Sequence, residues 1–150
     1  MMFMLDTDVL IFMIRALRSS GRNSKTTAQG QQLAARCREM QATGHAVGLS
    51  AITVSELEFG AMAGDDPKTS LHAIRKVLTP FDLFDYDAVH CPAHYGRLRA
   101  QLEADGLPIG SMDMLIAAHA IALGATLVTN NTRHFARAAG LAVENWLLAS

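Results

Sequence analysis

Short apolar runs recur along this chain and alternate with longer stretches of helical spacing, and that alternation limits the fold more than any other feature. The runs are Phe3 to Leu5, Ala46 to Ser50, Phe81 to Phe84, Ala125 to Thr129 and Leu141 to Val143. Between them lie helical patterns at 9–17, 33–41, 51–62, 68–78, 88–104, 112–123 and 133–139, several closed by Gly or Pro. Ser50 or Ser55 can cap the helix at 51, and Ser111 the helix at 112. Strands separated by helices must pair in parallel, so the pattern predicts an α/β sandwich with a mainly parallel central sheet. In such sheets ligands bind beyond the carboxyl ends of the strands. That puts Asp6 and the turn Thr129-Asn130-Asn131 at the edge of the expected site.

With 150 residues, half of them hydrophobic, the chain can bury a sizeable core as one domain over 1–150. The polar stretch 19–32 reads as a mobile loop between helices. A net charge of −1 excludes a strongly basic nucleic-acid coat but not a local basic patch. Cys37 and Cys91 match no metal-knuckle spacing and read as free thiols in a reducing compartment. The N-terminal run has no basic region or cleavage site of a signal peptide, and no apolar stretch is long enough to cross a membrane. The expectation is a soluble, cytoplasmic protein.

Three acids stand where carboxylates are expensive. Asp6, followed closely by Asp8, interrupts an apolar N-terminal segment. Glu56 shares a helical face with Ile52, Phe59, Gly60 and Ala63, and Asp113 shares one with Ile116, Ala117 and Ala120. No Lys or Arg falls on the same faces. Two carboxylates about 4 Å apart repel by roughly 4 kcal/mol at an effective dielectric of 20. A hard divalent cation turns that repulsion into ligation, and oxygen donors suit Mg²⁺ or Mn²⁺. Such a site can generate a nucleophilic water and neutralise charge on phosphoryl oxygens. Taken singly, each acid also has an ordinary reading: an Asx-turn for Asp6, a helix-start acid for Asp113 and, a weaker case in the second turn, capping for Glu56.

Four segments, in this order, resemble the PIN-domain ribonucleases, and among them the VapC toxins of bacterial toxin–antitoxin pairs. They are Met4-Leu-Asp-Thr-Asp8, Ser50-Ala-Ile-Thr-Val-Ser-Glu-Leu-Glu-Phe-Gly60, Ile109-Gly-Ser-Met-Asp-Met-Leu-Ile-Ala-Ala-His119 and Leu127-Val-Thr-Asn-Asn-Thr-Arg-His-Phe135. The resemblance implies a three-layer α/β/α sandwich and a metal-dependent endoribonuclease. By motif position Asp6, Glu56 and Asp113 are its catalytic acids. Asp6 and Asp113 would be the main ligands of Mg²⁺ or Mn²⁺. Glu56 would bind through water or help deprotonate the attacking water. The family often has a fourth acid where this chain has Asn131, and commonly has Asn where it has Asp8. Asp8 is therefore expected to restore part of the missing charge as a further ligand.

The resemblance also implies a VapB-type antitoxin and a homodimer. The segment 96–110 is similar to a subgroup that cuts initiator tRNA in the anticodon loop. RNA would meet Thr129, Asn130, Asn131, Arg133 and His134 at the site edge. Arg15 leads a run of cations to Arg38 that is free of acids and could hold phosphates or be an ordinary solvated surface. Two other readings fit parts of the sequence. One is a non-catalytic module that binds RNA or antitoxin. The other is a haloacid-dehalogenase-like phosphatase, suggested by Asp6-Thr-Asp8 but lacking the later Lys and acidic pair of that family. His90, Cys91 and His94 lack a fourth zinc ligand. His119, six residues beyond Asp113, reads as a packing residue.

Overall fold

The computed structural model describes residues 1–18 and 24–147. Its sheet has five strands, β1 (Met2–Leu5), β2 (Ala46–Ser50), β3 (Asp82–Phe84), β4 (Thr126–Val128) and β5 (Ala142–Glu144), in the order β3-β2-β1-β4-β5. Every neighbouring pair is parallel. Helices α1 (Thr7–Arg18), α2 (Lys25–Ala42), α3 (Ala51–Ala63), α4 (Pro67–Leu78), α5 (Cys91–Ala104), α6 (Ser111–Leu123) and α7 (Thr132–Phe135) make the connections. This is the three-layer α/β/α sandwich expected from the alternation of runs.

The layers follow from side-chain alternation along β1. Phe3 and Leu5 point into one apolar cluster with Val9, Leu10, Leu33, Leu49 and Leu57. Met4 points the other way, into a second cluster with Leu98, Leu102, Ile116, Leu127 and Phe135. Successive strand residues face opposite sides, so a three-residue run fully buried on both faces needs helices on both.

The expectation of a loop over 19–32 is corrected for its second part. Residues 25–32 form the first two turns of α2, capped by Ser24, whose hydroxyl accepts from the Thr27 amide at 3.1 Å; residues 19–23 lie outside the described residues. The buried stripe of α2 is Thr27, Gly30, Leu33 and Cys37. Its first half is small or polar, so no hydrophobic periodicity marks it. Gly30 lets α2 press against α1: a Cβ there would stand 2.4 Å from the Phe12 carbonyl oxygen and 2.5 Å from the Ala16 Cβ. The cap assignments also divide. Ser50 does cap α3, accepting from Ile52 N at 3.0 Å. Ser111 does not cap α6; it is the first helical residue. Gly110 holds the cap position at φ 92° without a side-chain bond, a backbone setting that favours glycine.

The chain runs outward from β1 through β2 to β3, then returns to the other side of β1 for β4 and β5. The direction of winding therefore reverses between β1 and β4. A crevice opens at the carboxyl ends of strands where this happens.

Candidate active site

Asp6 is the first residue after β1, at that crevice. Its amide still donates to the Val128 carbonyl of β4 at 2.8 Å, which carries the sheet one step further and fixes the side chain over the strand ends. Asp6 as a residue is only 5% exposed. Oδ1 accepts from the Thr7 amide at 2.8 Å and Oδ2 from the Thr129 hydroxyl at 2.8 Å. Thr129, wholly buried beyond β4, accepts in turn from the Asn131 amide at 3.0 Å. The 129–131 turn therefore meets Asp6 directly, as its place in the sequence suggested.

Asp8, in the first turn of α1, turns back to the same place. Its Oδ2 accepts from the Asn130 amide at 3.2 Å, while its Oδ1 is buried without a hydrogen-bond partner. Burial pushes the Asp6 carboxyl from its ordinary 3.8 up to about 7. The neighbouring Asp8 and, to a smaller extent, Asp113 raise it further, against the lowering effect of the Thr129 and Thr7 bonds. Asp8 is raised too, mainly by burial and against the Asn130 amide. A carboxyl held that high at neutral pH marks a site where negative charge is crowded and poorly solvated.

Asp113, in the first turn of α6, is half-buried, and its Oδ2 lies 2.9 Å from His134 Nε2. The same nitrogen is 2.8 Å from the Ile109 carbonyl oxygen. A nitrogen facing two acceptors carries a proton, so His134 donates here. Sequence reasoning put His134 at the substrate edge and did not foresee this bond. No local pattern in the sequence marks it, because the two residues lie 21 apart on different helices.

Glu56 reaches the site from α3, and the Thr7 hydroxyl donates to its Oε1 at 2.7 Å. The Thr53 hydroxyl stands 3.2 Å from that of Thr7. The face assigned to Glu56 from the sequence is corrected. Phe59 is 73% exposed, and the buried stripe of α3 is Thr53, Leu57 and Ala61. Glu56 lies beside that stripe rather than among buried apolar residues. The helix is apolar nearly all round, so its periodicity carries no direction.

A groove of about 300 Å³ leads away from Glu56 and Thr7 between α1, α3 and α4, with Ile11, Ile14 and Leu57 on its walls and Arg15 and Arg18 at its far end. Arg15 is exposed there. Two later cations of that run, Arg36 and Arg38, lie elsewhere, and Arg22 falls outside the described residues. Arg36 stacks over Trp146 at 5.7 Å, and Arg38 borders a separate apolar cleft between α1, α2 and α4. Arg133 is exposed on α7, and Asn131 exposes its side chain at the crevice. His90 binds Asp87 and His94 contacts Arg97, away from the acids.

The donor set of Asp6, Asp8, Glu56 and Asp113 is all oxygen, with one buried carboxylate oxygen unpartnered. That chemistry fits a hard divalent cation. Among the described residues no three His, Cys, Asp or Glu side chains already close into a cage.

The fold and this crevice define a class. Residues 3–141 match the PIN domain family. A tRNA(fMet)-specific endonuclease VapC of Shigella flexneri is 36% identical over 96% of this chain and 97% of its own. Ribonuclease VapC2 of Rickettsia felis is 34% identical over 97% and 98%. The structure superposes on that of VapBC2 from Rickettsia felis, bound to a promoter DNA fragment, with a TM-score of 0.84, 32% identity and coverage of 97% and 99%. It superposes on DNA-bound VapBC from Salmonella typhimurium with a TM-score of 0.79, 31% identity and coverage of 97% and 98%. The chain belongs to the PIN-domain family and, within it, to the VapC proteins. No helix among the described residues is long and apolar enough to cross a membrane.

Proposed function

We propose that this protein is a metal-dependent endoribonuclease toxin, with Asp6, Glu56 and Asp113 as its catalytic acids. One observation carries the reading: Asp6 is buried at the strand switch point beside Asp8, whose Oδ1 has no partner, and burial first, then Asp8 and to a smaller extent Asp113, pushes its carboxyl up to about 7. Such crowding costs stability unless a cation or proton relieves it. The relatives named ribonucleases support RNA as the substrate.

Asp6 and Asp113 would hold Mg²⁺ or Mn²⁺, with Asp8 as a further ligand and Glu56 joined through water. When bound, the ion supplies an activated water and offsets charge on the phosphoryl oxygens. The protein's own residues do the rest. Thr7 and Thr129 fix the Asp6 oxygens by donating to each of them. Thr7 also orients Glu56, placing that carboxylate to accept a proton from the attacking water. His134 holds Asp113 by donating from Nε2. Asn131 offers no carboxylate, which favours one ion over two. Arg15, Arg133 and the Thr129-Asn130-Asn131 turn flank the acids and would meet RNA phosphates.

The tRNA(fMet)-specific relative supports initiator tRNA, cut in its anticodon loop, as the target. The VapBC complexes support a VapB-type antitoxin as partner. A homodimer and a cytoplasmic location complete the proposal; the free buried thiols Cys37 and Cys91 suit a reducing compartment. Cleavage of tRNA by the purified chain, with Mg²⁺ or Mn²⁺ and with EDTA, tests the reading. A discrete product that EDTA abolishes supports it. A folded protein that binds tRNA without cutting it under either ion would move the assignment to a non-catalytic binding module.

A further inference from the structure

His119 is a fully buried, ionisable side chain that the proposed reaction does not use. Its Nδ1 lies 2.7 Å from the Ser50 hydroxyl oxygen. That oxygen accepts the Ile52 amide at 3.0 Å and so caps α3. Both residues are wholly buried, which decides the proton positions. If Nδ1–H donated to Ser50, the hydroxyl proton would need another acceptor in a dry site. Donation from Ser50 to Nδ1 gives the hydroxyl proton its acceptor. The imidazole proton then sits on Nε2, on the side of the Asp85 carbonyl but without a full hydrogen bond. Burial pushes the His119 pKa down, so the ring is neutral, and the Tyr86 ring packs edge-on to it at 5.5 Å.

An apolar side chain would fill this space without stranding a polar nitrogen. The imidazole therefore needs a reason, and its position supplies one. Ser50 starts the helix that carries Glu56, six residues on; His119 follows Asp113 by six residues on α6. Each acid lies about 9 Å of helix rise from the bond that joins the two helices. Helices move as rigid bodies, so a slip at this joint shifts Glu56 relative to Asp113.

We propose that His119 is a positioning residue that, through Ser50, pins α3 to α6 and holds Glu56 in register with Asp113. This rests on the ribonuclease reading, whose own failure would show in the wild-type protein as an absence of cutting. Three variants test the pin in a protein that cuts: His119→Leu, His119→Asn and Ser50→Ala. A misplacement of about 1 Å at a catalytic group costs up to a hundredfold in rate. His119→Leu keeps the volume but removes the acceptor. Its kcat on RNA is expected to fall about tenfold to a hundredfold while KM stays within about twofold. In His119→Asn, the amide oxygen takes the place of Nδ1, and most of the kcat is expected to return. A role in packing alone would follow side-chain volume, favouring Leu over Asn. Unchanged kcat in folded His119→Leu, or loss equal in Leu and Asn variants, overturns the inference. If His119→Leu does not fold, Ser50→Ala carries the same test: a lower kcat at unchanged KM supports the pin, and wild-type kcat overturns it.

Discussion

Replacing Asp6 by Asn should make the metal-free protein more stable at alkaline pH, although it destroys the proposed site. The Asp6 carboxyl stands at about 7 in the fold against its ordinary 3.8. That difference corresponds to about 4 kcal/mol of cost for holding the ionised form. The sign follows from proton uptake. Below pH 4 the group is protonated folded and unfolded, and contributes nothing. Between pH 4 and 7 the unfolded chain ionises while the folded one keeps its proton, so stability falls as pH rises. Above 7 the full cost is present. Asn never ionises, so the variant lacks this fall. Its Oδ1 can accept from the Thr7 amide, and the Thr129 hydroxyl can turn to accept from its Nδ2. Allowing about 1 kcal/mol for the rearranged bond, Asp6→Asn should gain about 3 kcal/mol at pH 8 and little at pH 4. Urea unfolding followed by circular dichroism, in EDTA at both pH values, measures the difference. A gain that does not change with pH, or a variant less stable than wild type at pH 8, would refute the reasoning. Mg²⁺ added at pH 8 should stabilise wild type and leave the variant unmoved.

Gly30→Val should lower stability by about 1–3 kcal/mol, because a Cβ at Gly30 meets the Phe12 carbonyl at 2.4 Å; the denaturation midpoint reads this. Cys37, whose thiol burial pushes up to about 12, should resist a thiol reagent in the native protein at pH 8 and react fully once unfolded. Thr7→Val removes the hydroxyl that holds Glu56; kcat on RNA should fall about tenfold or more, with KM little changed.

The parallel sheet was legible because β1, β2 and β4 are apolar runs that end abruptly, and because the connecting stretches had room for helices. The position of Asp6 was legible for the same reason: a carboxylate directly after a doubly buried strand is expensive to leave without partners. Glu56 was singled out by motif, but periodicity assigned it the wrong face, since α3 has no polar side to orient it. The start of α2 was invisible because Gly30 and Thr27 bury through close helix contact, not through apolar side chains. The bonds of His134 to Asp113 and of His119 to Ser50 span 21 and 69 residues. One chain read alone carries no signal for pairs of that kind.

The central claim is that the crowded acids at the end of β1 make an ion-dependent RNA-cutting site. The most direct test is total tRNA incubated with the purified protein, freed of any antitoxin, with Mg²⁺ or Mn²⁺ and with EDTA, beside Asp6→Ala. The account predicts one discrete product that appears with the ion, disappears with EDTA and is absent from the variant. Cutting that persists in EDTA or in a folded Asp6→Ala protein would contradict it.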